Sequence, residues 1–237
     1  MINRTGRRAP AKTASRLAPR KATRRVTTHA PDGETERLIL EAARQVFIRR
    51  GTQGARMQEI AREAGVNQAL LHYYFRSKER LAAAVFQMVA GRFLPGLIDT
   101  LGSDLPLSEK VDRLVALYLN NLSLNPFLAG YLISELHHHP ERAAQLLTAA
   151  LGAEPSRVAP PAIEKLGRQI AEAVAAGTMR SISPHQFVIN LVSLCVFPFA
   201  AKPMLSVILG LDDKSFPRFI EQRKTDLPAF FHHALRP

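Results

Sequence analysis

A short polar and aromatic stretch, Asn67–Tyr73, holds the side chains best suited to chemistry in this chain. The amide of Gln68 can make a bidentate contact with adenine, and the methyl group of Ala69 can meet a thymine methyl. His72 or Tyr73 can hydrogen-bond to a phosphate or to a base edge. These residue types therefore predict contacts with duplex DNA, provided that they share one exposed face of a helix.

Hydrophobic spacing predicts the elements that would position this stretch. Apolar residues recur on one helical face from Ile39 to Phe47, and Gly51 then ends that helix. A second helix is predicted over 57–64, a turn at Ala64-Gly65-Val66, and a third helix over 67–74. This order is typical of a helix-turn-helix, whose second helix enters the major groove. The alternative is a small helical bundle with a solvated polar face.

Each position in this unit has an expected role. The framework residues are expected to be Ile60, Ala61, Val66, Leu71 and Tyr74, and Gly65 supplies the turn, which leaves Asn67, Gln68, Ala69, His72 and Tyr73 exposed. Arg56 and Gln58 lie near the start of the second helix, and Lys78 follows the capping residue Ser77 of a fourth. Helix starts present free N–H groups to phosphate, so these residues are expected to add backbone contacts.

Charge and composition agree with a polyanionic partner. The formal net charge is +12, and nine cations with no acid fall within residues 1–31, which leaves +3 for the rest (12 − 9). We predict that residues 1–33 form a disordered basic arm; a solubility tail and an organellar transit peptide are the alternatives. The single cysteine, Cys195, indicates a reducing compartment, and no apolar run is long enough for a membrane span. We expect a cytoplasmic protein.

The remaining sequence is also helical in pattern, so the predicted fold class is all-α. Residues 34–81 would form the helix-turn-helix domain and residues 82–237 a larger helical domain. Helices are predicted over 78–101 with a bend at Pro95, 108–124, 126–138, 140–151, 161–177, 184–200 and 216–235.

Residues 34–81 closely resemble the DNA-binding domain of the TetR family of bacterial transcriptional regulators. The motifs that carry the resemblance are Ile39-Leu40-Glu41-Ala42-Ala43, Phe47 with Gly51, Ile60-Ala61 with Ala64-Gly65-Val66, and Leu71 with Tyr74-Phe75 and Ser77-Lys78-Glu79. The resemblance implies base contacts from Gln58, Gln68, Ala69 and His72, and phosphate contacts from Arg56, Tyr73, Tyr74 and Lys78. The sequence departs from the family pattern at Gln68-Ala69, Leu70 and His72.

The same resemblance implies that residues 82–237 bind a small-molecule effector and form a homodimer. Two helices carry apolar stripes that would build a four-helix interface between subunits, formed by Ile163, Leu166, Ile170, Val174, Phe187, Leu191, Leu194 and Pro198. The alternative is that both stripes face the core of their own chain. Two recognition helices about 34 Å apart would also require a dimer.

We expect an effector pocket between the helices of residues 78–151. The candidate lining residues mix apolar bulk with a few polar groups, which indicates a largely apolar ligand: Phe93, Leu97, Leu117, Tyr118, Asn121, Phe127, Tyr131 and His137. Each of them is equally compatible with plain core packing.

Other functions have little support in the sequence. No nucleophile motif, phosphate-binding loop or paired carboxylates indicate an enzyme, and we expect no cofactor. His137-His138-His139 resembles a metal cluster, but neighbouring helical positions point in different directions, so a polar helix end is expected instead. The sequence therefore predicts an effector-responsive repressor that binds a palindromic operator as a dimer. A DNA-organising protein and a nucleic-acid enzyme with a targeting helix-turn-helix are the alternatives.

Overall fold

The computed structural model describes residues 32–237, so the predicted basic arm lies outside the described residues apart from its last two positions. Within this range the chain forms twelve helices and no strand, which confirms the all-α prediction. The helices are α1 Asp32–Gly54, α2 Met57–Glu63, α3 Gln68–Phe75, α4 Lys78–Ala90, α5 Leu94–Leu101, α6 Leu107–Leu124, α7 Phe127–His138, α8 Pro140–Leu151, α9 Pro155–Ala175, α10 Pro184–Ala200, α11 Lys202–Leu209 and α12 Phe216–Ala234.

One long helix predicted over 78–101 is in fact two. α4 ends at Ala90, and α5 starts at Leu94 with its axis turned by 41°. Pro95 does not bend a helix, because it lies in the first turn of α5, where a proline needs no N–H donor. The break falls three residues earlier, at 91–93.

Two further differences concern prolines and short helices. α9 begins at Pro155 rather than 161 and continues through Pro160 and Pro161. These prolines leave the carbonyls of Ser156 and Arg157 without helical donors, but both residues are exposed, so water can satisfy them. α11 was not predicted, although a proline at its start and the left-handed Gly210 after it are typical helix boundaries.

A single hydrophobic core runs from α1 to α12 and joins the helix-turn-helix to the rest of the chain. Phe47 of α1 packs on Phe127 at the start of α7, with ring centroids 5.8 Å apart. Beside them Arg44 donates to the side-chain oxygen of the buried Asn125, which lies between α6 and α7, at 3.1 Å. The α6–α7 junction is therefore attached directly to α1, the first helix of the helix-turn-helix domain.

α10 and α12 are joined through the carbonyl group of Leu194. Pro198, four residues further along α10, has no N–H to donate to that carbonyl. The guanidinium group of Arg223 on α12 fills the gap, with Nε and Nη2 at 3.2 and 2.8 Å from the Leu194 oxygen. Partial burial at this place lowers the pKa of Arg223. A proline inside one helix is thus compensated by a cation from another.

Within residues 32–237 no single helix is both long and apolar enough to cross a membrane, and two bent helix pairs pass that test only by combined length and composition.

Candidate nucleic-acid interface and effector cavity

The turn between α2 and α3 is closed by backbone hydrogen bonds around Gly65. Gly65 has a φ of 70°, and Val66 N–H donates back to the Ala61 carbonyl at 3.0 Å. A residue in the left-handed region followed by this bond is a common way to end a helix. The turn thus fixes the angle at which α3 leaves α2, as the sequence predicts.

A small buried set holds α2 and α3 together. Ile60 and Leu71 are fully buried, and Ala61 and Phe75 are nearly so. Tyr74 is half-buried against the same core, as its predicted framework role requires. Phe75 was not assigned a framework role from sequence, although its spacing of four residues from Leu71 places it on the same helical face.

The outer face of α3 carries the predicted readers. Gln68, Ala69, His72 and Tyr73 are exposed, and Tyr73 retains 76% of its accessible surface. Gln58 and Arg56 at the start of α2 are exposed as well. The structure therefore leaves six of the eight predicted DNA-contacting residues exposed on α3 and at the start of α2.

Two of the polar residues in this region have structural partners. Asn67 accepts a hydrogen bond from the backbone N–H of Leu70 at 2.7 Å, so it caps α3. Lys78 is half-buried, and its Nζ donates to the carbonyls of Gln53 and Ala55 at 3.0 and 3.4 Å. Lys78 thus ties the start of α4 to the end of α1, which is a positioning role beside the predicted phosphate contact.

Two arginines of α1 pair with glutamates of α2. Arg49 forms an ion pair with Glu63 of α2 at 2.9 Å, and Arg50 lies 3.7 Å from Glu59. Ser77 caps α4 as predicted, since its hydroxyl accepts from Arg80 N–H at 3.2 Å. A hydrogen bond from Ser77 also contributes to lowering the pKa of Glu79, after the larger effect of the glutamate's own backbone N–H.

A separate, partly open apolar cavity of about 150 Å³ lies among α5, α6, α8 and α10. Its lining is almost entirely hydrocarbon: Leu94, Leu97, Ile98, Leu101, Leu114, Tyr118, Leu151, Phe187, Val188, Leu191 and Val192. An apolar cavity of this size can accept a molecule such as benzene. It is the place in the described chain that best fits the predicted apolar pocket.

Only two of the eight predicted effector residues, Leu97 and Tyr118, line this cavity. Phe93 packs edge-on against the Tyr118 ring, with centroids 6.5 Å apart. Burial raises the pKa of the Tyr118 hydroxyl, so that it stays protonated and can donate. The sequence missed the contribution of α10, because the pocket was expected only among residues 78–151.

The other predicted effector residues serve different contacts. Asn121 donates to the carbonyl of Leu117 in its own helix at 2.8 Å, and both are half-buried. Phe127 packs on α1, and Tyr131 packs on Phe86 with ring centroids 5.8 Å apart. His137 is exposed at the end of α7, where its Nδ1 lies 3.0 Å from the Ile133 carbonyl. These placements remove them from the cavity wall.

The apolar stripes expected at a dimer interface lie mostly inside the subunit. Leu166, Ile170, Phe187, Leu191 and Pro198 are buried in this chain, and the Phe187 ring stacks edge-on against Phe231 of α12 at 5.2 Å. Ile163, Val174 and Leu194 are half-buried. Side chains covered by their own chain cannot contact a second copy, so these five favour the alternative of core packing.

Three C-terminal helices, α10, α11 and α12, also carry apolar side chains that are exposed. Seven of the twelve large hydrophobic side chains exposed in the described range belong to α10, α11 and α12: Ile189, Phe197, Met204, Val207, Ile208, Leu209 and Phe230. We call this set the C-terminal apolar face. Large exposed apolar patches are typical of association surfaces.

Comparison with known proteins agrees with the geometry. Residues 39–85 match the family model described as bacterial regulatory proteins, tetR family, and residues 108–224 match the tetracyclin repressor-like C-terminal domain. The transcriptional repressor NicS of Pseudomonas putida is 30% identical over 179 residues, which is 73% of this chain and 80% of NicS.

Other relatives match over a smaller part of the chain. The transcriptional regulator BetI of Rhizobium meliloti is 35% identical over 77 residues, so the match covers 32% of this chain and only 38% of that relative. A mutant form of the regulator HlyIIR has the same fold, with a TM-score of 0.56 at 24% identity over 86% of this chain and 96% of that one. These relatives are transcriptional regulators and not enzymes, and this chain belongs to the TetR family of bacterial transcriptional regulators.

Proposed function

We propose that this regulator is a homodimeric repressor that acts in the cytoplasm, binds a palindromic operator, and releases it when a small apolar ligand enters the α5–α6–α10 cavity. The observation that carries the proposal is the exposed polar face of α3 on a rigid helix-turn-helix. The repressor role is supported by the match to NicS, which is named a repressor and aligns with most of the chain.

DNA reading is tested by selecting bound sequences from randomised duplexes and then measuring Gln68→Ala. We expect a loss of roughly 1–3 kcal/mol on the selected site and little change on random DNA. Gln145→Ala, at an exposed glutamine of α8, is the matched control and should leave both affinities unchanged. An equal loss on both DNAs would show that Gln68 only positions the protein. Uniform coating of all sequences would instead support the DNA-organising alternative.

The ligand proposal rests on the hydrocarbon lining of the cavity and on α6, which lines the cavity with Leu114 and Tyr118 and ends next to Asn125, the residue that Arg44 of α1 contacts. A ligand shifts DNA occupancy only if it binds the two states of the protein differently. Benzene is a suitable probe, since it fits a cavity of this volume. Val192→Phe should fill the space and abolish benzene binding while DNA binding persists. Benzene binding by Val192→Phe as tight as that of the original chain would exclude this cavity.

The dimer proposal shifts from the buried stripes to the C-terminal apolar face. Replacing both Ile189 and Phe197 by glutamate would place charges where a second copy must pack, and should yield a 26.2 kDa monomer by sizing. The control Leu124→Glu changes an equally exposed leucine outside this face and should leave the dimer intact. A dimer that survives the double change would rule out this face.

The basic arm remains a proposal about residues that the structure does not describe. Each protein cation that neutralises a phosphate releases a counterion from the DNA. The logarithm of the affinity therefore falls with the logarithm of the salt concentration, with a slope proportional to the number of such cations. Deleting residues 2–30 removes nine cations and should flatten that dependence without changing the selected sequence. A deletion variant with the original salt slope would show that the arm does not touch DNA.

A further inference from the structure

The exposed face of α3 contains a hydrogen-bonded series that links Gln68, His72 and the end of the helix. His72 Nδ1 lies 3.2 Å from the carbonyl oxygen of Arg76, and His72 Nε2 lies 3.5 Å from Nε2 of Gln68. Arg76 has a φ of 54°, and it is the one non-glycine residue with positive φ among residues 32–237. At this residue of positive φ the carbonyl of Arg76 lies next to the ring of His72.

The donors and acceptors in this series can be assigned from their chemistry. A carbonyl oxygen only accepts, so Nδ1 of His72 must carry the hydrogen. In the neutral ring Nε2 is then an acceptor, and the Gln68 amide must turn its NH2 group toward it. The opposite orientation would set the amide oxygen against the ring's lone pair. Neutral His72 therefore selects one of the two orientations of the Gln68 amide.

The selected orientation is the one that can read adenine. One amide hydrogen of Gln68 points to His72, which leaves the amide oxygen and the second hydrogen as an adjacent acceptor and donor. Adenine presents the matching pair in the major groove, an N6 amino donor and an N7 acceptor. We propose that His72 is a positioning residue that fixes the order of donor and acceptor on Gln68 and so sets its base preference. This inference rests on the proposed reading of DNA by α3.

Protonation of His72 supplies a sharp test, because it makes both ring nitrogens donors. The Gln68 amide would then rotate to offer its oxygen to Nε2, and the order of donor and acceptor facing the base would be reversed. The adenine preference should fall, whereas contacts with phosphate should not depend on this rotation.

Other charges near α3 lie on the two helices packed against it, α2 and α4. They are Glu59, Arg62 and Glu63 on α2, and Lys78, Glu79 and Arg80 on α4. Glu59 and Glu63 lie beside arginines of α1, and Lys78 is bound to backbone carbonyls. These charges affect binding equally for two duplexes that differ in one base pair. The ratio of the two affinities therefore does not depend on them.

The experiment measures that ratio with the full chain. The two duplexes carry the selected site with adenine, or with another base, at the position that Gln68→Ala identifies. For the original chain we expect a preference of about tenfold at pH 8, and a fall of several-fold at about pH 5.5. His72→Ala should lose most of the preference at both pH values. His72→Gln can offer Gln68 either a donor or an acceptor, so it should retain only part of the preference, and that part should be the same at both pH values.

The outcomes separate this inference from the proposed function. A chain that selects no sequence at all would overturn the proposed function. A chain that selects a site, loses the adenine preference in Gln68→Ala, but keeps it in His72→Ala would overturn the positioning role alone. A ratio that is the same at both pH values in the original chain would also overturn it. Circular dichroism at both values checks that the fold is retained.

Discussion

The two ends of this molecule differ in how directly their chemistry can be read. At the DNA-reading end, polar side chains such as Gln68 and His72 stand on an exposed helical face, where core packing cannot explain them. At the other end, stripes such as Leu166 and Leu191 are apolar, and an apolar stripe can face its own chain or a second copy. Polar side chains on an exposed face thus cannot be explained by core packing. An apolar stripe can be explained by core packing or by contact with a second copy, and only the fold separates these two.

The largest expected effect tests whether the α9 stripe belongs to the core. Leu166 is fully buried, so Leu166→Ala should lower the free energy of unfolding by about 2–5 kcal/mol. Urea denaturation at fixed protein concentration measures it. Leu124→Ala, on a side chain that is 67% exposed and outside the C-terminal apolar face, should change the stability by no more than about 0.5 kcal/mol. An effect of Leu166→Ala as small as that of Leu124→Ala would show that the stripe is not part of the core.

The next effect concerns the compensation between Pro198 and Arg223. Arg223→Met leaves the Leu194 carbonyl without a donor, which should cost about 1–3 kcal/mol. Pro198→Ala restores an N–H to that carbonyl, so in this background Arg223→Met should cost clearly less. A double-mutant cycle by urea denaturation measures the coupling. Additive effects would mean that Arg223 stabilises α12 by some other contact.

Much of the fold could be predicted from sequence because its boundaries carry local signals. Gly65, Ser77 and the apolar spacing of α1 act over a few residues, and each lies where the pattern predicts it. The α9 start was misplaced because Pro160 and Pro161 normally stop a helix, and only exposure of the preceding carbonyls makes them tolerable.

The candidate sites divide along the same line. The exposure of the predicted readers on α3 follows from residue type and helical face alone. The cavity could not be predicted, since Phe187 and Leu191 come from α10, far along the chain from Leu97 and Tyr118. Arg76 was also missed, because no local signal indicates that an arginine adopts a positive φ. The cavity and the Arg76 conformation depend on packing between distant parts of the chain, which the periodicity of the sequence does not show.

A smaller effect compares glycines at the two ends. Gly65 has a φ of 70° with open space around its missing side chain, so Gly65→Ala should cost roughly 1–2 kcal/mol through backbone strain alone. Gly130 lies inside α7 with nothing near it, and Gly130→Ala should stabilise by about 0.5–1 kcal/mol. Thermal unfolding measures both. Gly65→Ala without a loss would contradict the strained turn.

The smallest effect separates capping from DNA contact at Asn67, which the sequence places among the exposed readers and the structure makes the cap of α3. Asn67→Ala should cost about 1 kcal/mol of stability, because the Leu70 N–H loses its acceptor. Asn67→Asp keeps that acceptor and should retain stability, since aspartate caps helices as well as asparagine does. The new carboxylate would however repel phosphate if this helix start faces the DNA backbone. Thermal unfolding together with operator affinity therefore distinguishes the two roles. Asn67→Asp should be stable yet bind the operator weakly. Equal binding by Asn67→Asp and the original chain would place Asn67 away from the DNA.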